Sequence, residues 1–256
     1  MRILLAVLLL VAACTPLRAE DDGGPEATWQ GAWIAFPAEF AGGVESLTVK
    51  SMAAAMDIGA KAQKSWPAVV YNHGCKGHGY SSRIALKVLS DAGFVVIAPN
   101  SFARKNRPET CDTKRKRRIA GSPGRAVTAM RFEEIAYAAA ATPKLQWVDQ
   151  QNLFISGHSQ GGRVVSAYSG EGFKAVATSG SRCPAGVGAP ADKPGIYMNA
   201  ARDPWFHGKP PPGKCQTSAP QGALHTHPVY DTNKHVVLAL PEAQMALINF
   251  LKANLD

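Results

Sequence analysis

No two cysteines of this sequence stand at C-x-x-C spacing, so the common structural zinc sites are not expected. Nothing repeats internally and no long low-complexity run occurs, which excludes a solenoid or an array. Charged residues are only 18% against 46% apolar, a balance that excludes a disordered chain. The apolar run Ile3–Ala13 is too short to span a bilayer. Acid is also in short supply: 19 Asp and Glu face 28 Lys and Arg, giving a formal charge of +9. The run Arg104–Arg118 holds much of that excess, yet it has no interleaved aromatics and no known nucleic-acid module. It reads as a solvated loop, with a role in holding an acidic substrate or the envelope surface as the alternative. No nucleic-acid partner is expected.

What the N-terminus does have is one Arg followed by that apolar run, the pattern of an export signal. Two processing routes are open. "VAAC", Val11 to Cys14, resembles a bacterial lipobox, which would remove residues 1–13, lipidate Cys14 and anchor the chain to a membrane. Ordinary cleavage after Ala19 would instead leave 20–256 free. Either route makes the protein exported, to the periplasm, the medium or the envelope. Export leaves Cys75, Cys111, Cys183 and Cys215 in an oxidising compartment, where an even count suggests disulfides. Of the possible pairings, Cys75–Cys111 and Cys183–Cys215 each flank consecutive units and are expected.

Residues 20–30 read as a flexible start, and Gly43–Met56 as one or two early antiparallel strands. Strands are predicted at Ala68–Asn72, in "FVVIAP", at Leu153–Ser156, and within "FKAVATSGS" and "KPGIYMNAARD". "HTHPVYD" reads as the last strand. Helices are predicted over Ser81–Ala92, in the long run after Pro123, from about Gln160, and over the final amphipathic segment, whose Leu247 and Leu251 are core. A long loop is expected from Asn100 to about Ser122. Strands alternating with helices predict an α/β fold, a mainly parallel sheet of about eight strands covered on both faces. No linker divides 20–256, so one domain is expected.

The chemistry centres on Gly157-His158-Ser159-Gln160-Gly161, between a strand and a helix. Glycines flank the serine because a tight strand-to-helix turn leaves no room for side chains. A serine hydroxyl needs a base, the base needs a carboxylate, and the oxyanion needs N–H donors. The donors expected are the N–H groups of Gln160, after the serine, and Cys75, in "YNHGCKGHG" after an earlier strand. His73 and His78 in that loop read as structural. Asp203 ends the strand of "GIYMNAARDPWF" and is the expected acid, with Asp192 and Asp231 as alternatives. His235, in the loop before the last helix, is the expected base; His227 and His225 are the alternatives, and His207 reads as a loop residue.

These stretches, "VVYNHGCKGHGYSSRIALKVLSDAGFVVIAPNSFARKNRPETC" and "LFISGHSQGG" with Asp203 and His235, resemble the α/β-hydrolase superfamily and its dienelactone hydrolase-like branch over roughly 65–253. The resemblance implies a hydrolase of small-molecule esters acting through an acyl-enzyme, without metal or organic cofactor. Dienelactone hydrolases proper carry cysteine at the elbow, where this chain has Ser159. That departure favours a serine esterase. The rival readings are a peptidase of the same fold and an exported lipoprotein that keeps the fold without turnover.

Overall fold

A computed structural model describes residues 22–40, 42–182, 193–208 and 225–256. The described residues begin with α1 (Gly24–Gln30), β1 (Trp33–Phe36), β2 (Leu47–Val49) and α2 (Met52–Gly59). It continues with β3 (Trp66–Asn72), α3 (Tyr80–Asp91), β4 (Val95–Ala98), a short hairpin β5 (Cys111–Asp112) and β6 (Arg117–Arg118), and α4 (Gly124–Ala141). Then come β7 (Val148–His158), α5 (Gln160–Val165), β8 (Val176–Ser179), β9 (Gly195–Ala200), β10 (His225–Thr226), β11 (Val229–Tyr230) and α6 (Pro241–Lys252).

Among the described residues, one nine-stranded sheet runs in the order β10-β9-β8-β7-β3-β4-β1-β2, with β11 also on β9. β1 is antiparallel to β2 and β4, and the pairs from β4 through to β10 and β11 are parallel. Central strands such as Val95–Ala98 are buried throughout, as a sheet covered on both faces demands. The alternation of strand side chains divides them between two cores. Val70, Ile97 and Ile155 pack with Trp147 and Ile135 on one face; Val69, Val96 and Phe154 pack with Leu86 and Leu247 on the other. α3 ends at a turn in which Gly93 takes φ 97° and Phe94 N–H donates to Leu89 O at 3.1 Å, an arrangement suited to glycine.

Three local expectations are corrected. Part of the flexible start is helix α1, held because Trp29 is buried against the core. Gly43–Met56 does supply one antiparallel strand, β2, as expected, after which Ser51 caps α2 by accepting from Ala54 N. The loop Asn100–Ser122 contains the β5–β6 hairpin and a short 3-10 turn at Ser101–Ala103. "HTHPVYD" lies in one register beside β9, His225 opposite Gly195 and Tyr230 opposite Ala200, but splits into β10 and β11. Pro228, which has no N–H, sits at the break.

Candidate active site

Ser159 stands between β7 and α5 with φ 55° and ψ −117°. A non-glycine residue rarely takes positive φ, and holding it there costs ~1–3 kcal/mol. Its neighbours enforce the turn: Ser159 N–H donates to Ser179 O at 2.9 Å, and Arg163 N–H donates to Ser159 O at 2.9 Å. A Cβ on Gly157 would fall 2.6 Å from the backbone of Gly161, and one on Gly161 would fall 2.6 Å from His73 O. Glycine at both positions is what lets β7, α5 and the end of β3 approach so closely.

The loop after β3 runs beside this serine: a Cβ on Gly74 would lie 3.7 Å from Ser159 Cβ. His73 is fully buried, and its Nε2 accepts from Ser101 N–H at 3.1 Å. Its Nδ1–H therefore donates to Gly74 O at 2.7 Å. Burial, with the Arg131 charge as the second cause, holds His73 well below the usual imidazole range. Gly77 N–H donates to the same carbonyl at 3.2 Å. Two donors on Gly74 O fix the plane of the peptide whose N–H belongs to Cys75, because the peptide unit is rigid. Cys75 is joined by a disulfide to Cys111, Cα–Cα 6.0 Å, and so is not a free thiol. His78 is consumed by structure: its Nε2 meets Ala98 O at 3.1 Å and its ring stacks on Trp33.

Gln160, which opens α5, is gripped from the basic loop. Its Nε2 donates to Thr110 Oγ1 at 2.7 Å, and its Oε1 accepts from Arg107 Nη2 at 3.3 Å. Arg107 Nε donates to Ser101 Oγ at 2.6 Å, and that hydroxyl donates to Glu134 Oε1 at 2.8 Å. Glu134 also forms a buried ion pair with Arg131 at 3.2 Å, and Arg131 Nη2 donates to His73 O at 3.2 Å. Burial pushes Glu134 up and Arg131 down, while their attraction opposes both shifts. The expectation of a solvated Arg104–Arg118 run is thus corrected at its first part: Arg104 and Arg107 are buried within this network. The part from Lys114 to Arg118 is exposed.

Asp203 follows β9 and is buried. Its Oδ1 accepts from Trp205 N–H at 2.9 Å, and its Oδ2 lies 2.7 Å from His235 Nδ1. A carboxylate on Nδ1 keeps the proton there and leaves Nε2 as the basic nitrogen. Trp205 stacks on the His235 ring at 5.3 Å, and His158 tilts against it at 4.8 Å. His158 is buried, with Nδ1 3.1 Å from Ser179 Oγ; desolvation, then the adjacent His235, lowers it to about 3. The His235 loop passes Gly180, φ 57°, where a Cβ would fall 2.5 Å from His235 O. Ser159, His235, Cys75, Gln160 and Trp205 line one cavity of about 260 Å³. No side-chain hydrogen bond joins Ser159 to His235 among the described residues.

The alternatives lie elsewhere. His225 is at the opposite end of the sheet edge, its Nε2 2.8 Å from Lys193 O, and His227 stacks on Tyr197. Asp231 pairs with Arg202 at the exposed surface, and His207 occupies a left-handed turn. Asp192, Cys183, Cys215 and Cys14 lie outside the described residues. Sequence reasoning missed Trp205, Gly180 and the Arg131–Glu134 network. "DPW" directly after the strand was the one available sign of the first.

The sheet order, the serine turn and the acid–histidine pair past β9 define an α/β-hydrolase fold. Solved structures share it. Est1E from Butyrivibrio proteoclasticus is 12% identical, with 87% of this chain and 93% of that chain covered at a TM-score of 0.53. EstE1, a thermophilic carboxylesterase cloned from a metagenomic library, is 14% identical, with 86% of each chain covered at a TM-score of 0.51. No curated protein matches the chain. The chain belongs to the dienelactone hydrolase family, whose model matches residues 53–207, and is a hydrolase of that family.

Proposed function

We propose that this protein is a serine hydrolase that cleaves carboxylic esters through an acyl-enzyme. Ser159 is the nucleophile, His235 the base and Asp203 the acid that orients it. The observation that carries this reading is the 2.7 Å Asp203–His235 contact on the wall of the cavity that also holds Ser159. His235 Nε2 takes the hydroxyl proton as Ser159 Oγ attacks the ester carbon, then returns it to the departing alcohol. Water, deprotonated by the same nitrogen, releases the acid. The N–H groups of Gln160 and Cys75 receive the oxyanion. Their supports are the side-chain grip on Gln160 and the two donors on Gly74 O. Cys75, being in a disulfide, does not compete as nucleophile. The proposal extends to location: an exported chain, one domain over 20–256, cut after Ala19 or lipidated at Cys14.

The test is fluorophosphonate labelling followed by peptide mapping. Label on Ser159, abolished by Ser159→Ala, supports the reading. Label elsewhere, or ester hydrolysis that survives in folded Ser159→Ala, defeats it.

A further inference from the structure

The β5–β6 hairpin is a surface feature that the proposed reaction does not use. Lys114, Arg115, Lys116 and Arg117 follow one another around its tip, and all four are exposed. Asp112 orders the tip: its Oδ1 accepts from Lys114 N–H at 3.0 Å and from Arg115 N–H at 3.1 Å. Its Oδ2 lies 3.8 Å from Arg115 Nε, so one of the four cations is partly offset. Lys116 holds φ 50°, a region in which glycine or asparagine costs less. The turn thus carries a cation where its geometry favours an uncharged residue. The foot of the hairpin is fastened, because Cys111 is joined to Cys75 and Ile119 N–H donates to Thr110 O at 3.1 Å. Ile119 itself is 38% exposed, an apolar residue beside the cations.

Position gives this charge a direction. Cys111 and Arg118, paired at the foot of the hairpin, line the Ser159 cavity, so the hairpin starts from the wall of that cavity. The start of the described chain lies against the preceding loop: Lys105 N–H donates to Asp22 O at 2.9 Å, and Arg104 Nε donates to Asp22 Oδ2 at 2.8 Å. β5 begins six residues beyond Lys105, no more than about 21 Å away. Cys14, outside the described residues, stands eight residues before Asp22, a reach of at most about 28 Å. A lipid on Cys14 and the hairpin are therefore within reach of one bilayer. A single acyl chain holds a protein only marginally, and a basic patch beside it makes the attachment stable. The run has no interleaved aromatics on which nucleic-acid bases could stack.

We propose that the β5–β6 hairpin docks this protein on an anionic lipid surface through Lys114, Lys116 and Arg117, with Arg115 in support, which leaves the Ser159 cavity next to the bilayer. The hairpin's role stands without the hydrolase reading, and only the part played by Cys14 rests on the export reading. The attraction is Coulombic, between clustered cations and lipid phosphates, and it falls off within a Debye length. Each cation at such a surface is worth about fivefold in partitioning. Clustering is what matters: the formal charge of +9 is spread over the whole chain, and only cations on one face meet a membrane together.

The experiment is sedimentation of the purified mature protein with sucrose-loaded vesicles of neutral POPC, or of POPC mixed with anionic POPG, at about 0.1 M salt, where charges interact over about 10 Å. The partition coefficient should be about a hundredfold higher on the POPG vesicles, the product of three full cations, and added salt should close the gap. Any acyl chain enters both membranes, so the ratio reads the hairpin alone. Lys114→Gln/Lys116→Gln/Arg117→Gln should remove the gap and leave the POPC value unchanged. Lys61→Gln/Lys144→Gln/Lys252→Gln, at exposed positions elsewhere, lowers the net charge equally and should keep most of the gap. An unchanged Tm checks the fold of each variant. Equal partitioning of the wild type on the two vesicles overturns the proposal without any variant. Equal losses in the two triple variants overturn it too, since net charge and not the hairpin would then be responsible. Retention on heparin without binding to POPG vesicles would assign the hairpin to a soluble polyanion and sink the membrane partner.

Discussion

Lowering the pH should destabilise this protein well before its carboxylates are protonated, because His73 and His158 are buried, and His78 half-buried, in uncharged form. Desolvation lowers His158 to about 3 and His78 to about 4, and drives His73 well below its usual 6.5. Each folded value is depressed, so between the folded and unfolded values the unfolded chain binds more protons and stability rises with pH. The stabilisation is present above about 6.5 and is lost as pH falls below it. Between pH 7 and pH 5 the linkage relation gives about 2 kcal/mol per histidine, or about 4 kcal/mol from His158 and His78. His73 adds in the same direction. Glu134, raised by burial, opposes the trend, and Asp22 and Asp112, lowered by Arg104 and by backbone donors respectively, act only below the usual carboxylate range. Such a loss is most of a stability at the low end of the ~5–15 kcal/mol range of native domains. Urea unfolding at pH 7, 6 and 5 measures it, and the slope near pH 5 should correspond to uptake of two to three protons. His78→Gln, whose amide can still donate to Ala98 O, should reduce that slope by about one proton. An unfolding free energy equal at pH 7 and pH 5 would refute the reasoning.

Other expected outcomes are as direct. Ser159→Ala and His235→Ala should each lower kcat on p-nitrophenyl acetate by roughly 10³-fold or more, with the double variant little worse than either, because residues that act as a unit are not additive. His225→Ala and His227→Ala should stay within about tenfold of wild type in the same assay. Opening the Cys75–Cys111 link, which closes a loop of 36 residues, should cost about 2–4 kcal/mol in denaturant titrations. Non-reducing peptide mapping should find that pair, and also Cys183 with Cys215. Gly161→Ala should destabilise by about 1–3 kcal/mol and lower activity together, since its Cβ meets backbone that has no rotamer to yield. Mass spectrometry of the mature chain should start it at Cys14 or at Glu20, and an intact Met1 would contradict export.

The sequence by itself determined what depends on neighbours along the chain. Ser159 was legible because the strand, the flanking glycines and the helix that shape its turn lie within a dozen residues. Asp203 was legible as the carboxylate at the end of an apolar strand, and His235 as the histidine between the last strand and the last helix. The α/β alternation followed from runs that had to be buried on both faces. Tertiary structure decided what depends on residues far apart. Arg131 and Glu134 look like a surface i,i+3 pair on a helix, and they are buried because β3 brings Asn72 and His73 against them. Arg107 leaves the basic run for the interior because Ser101 and Gln160 offer acceptors there. Trp205 and Gly180 matter only because the His235 loop returns across the sheet between them. Burial and field depend on distance in space, and for these residues local pattern carries no record of that distance.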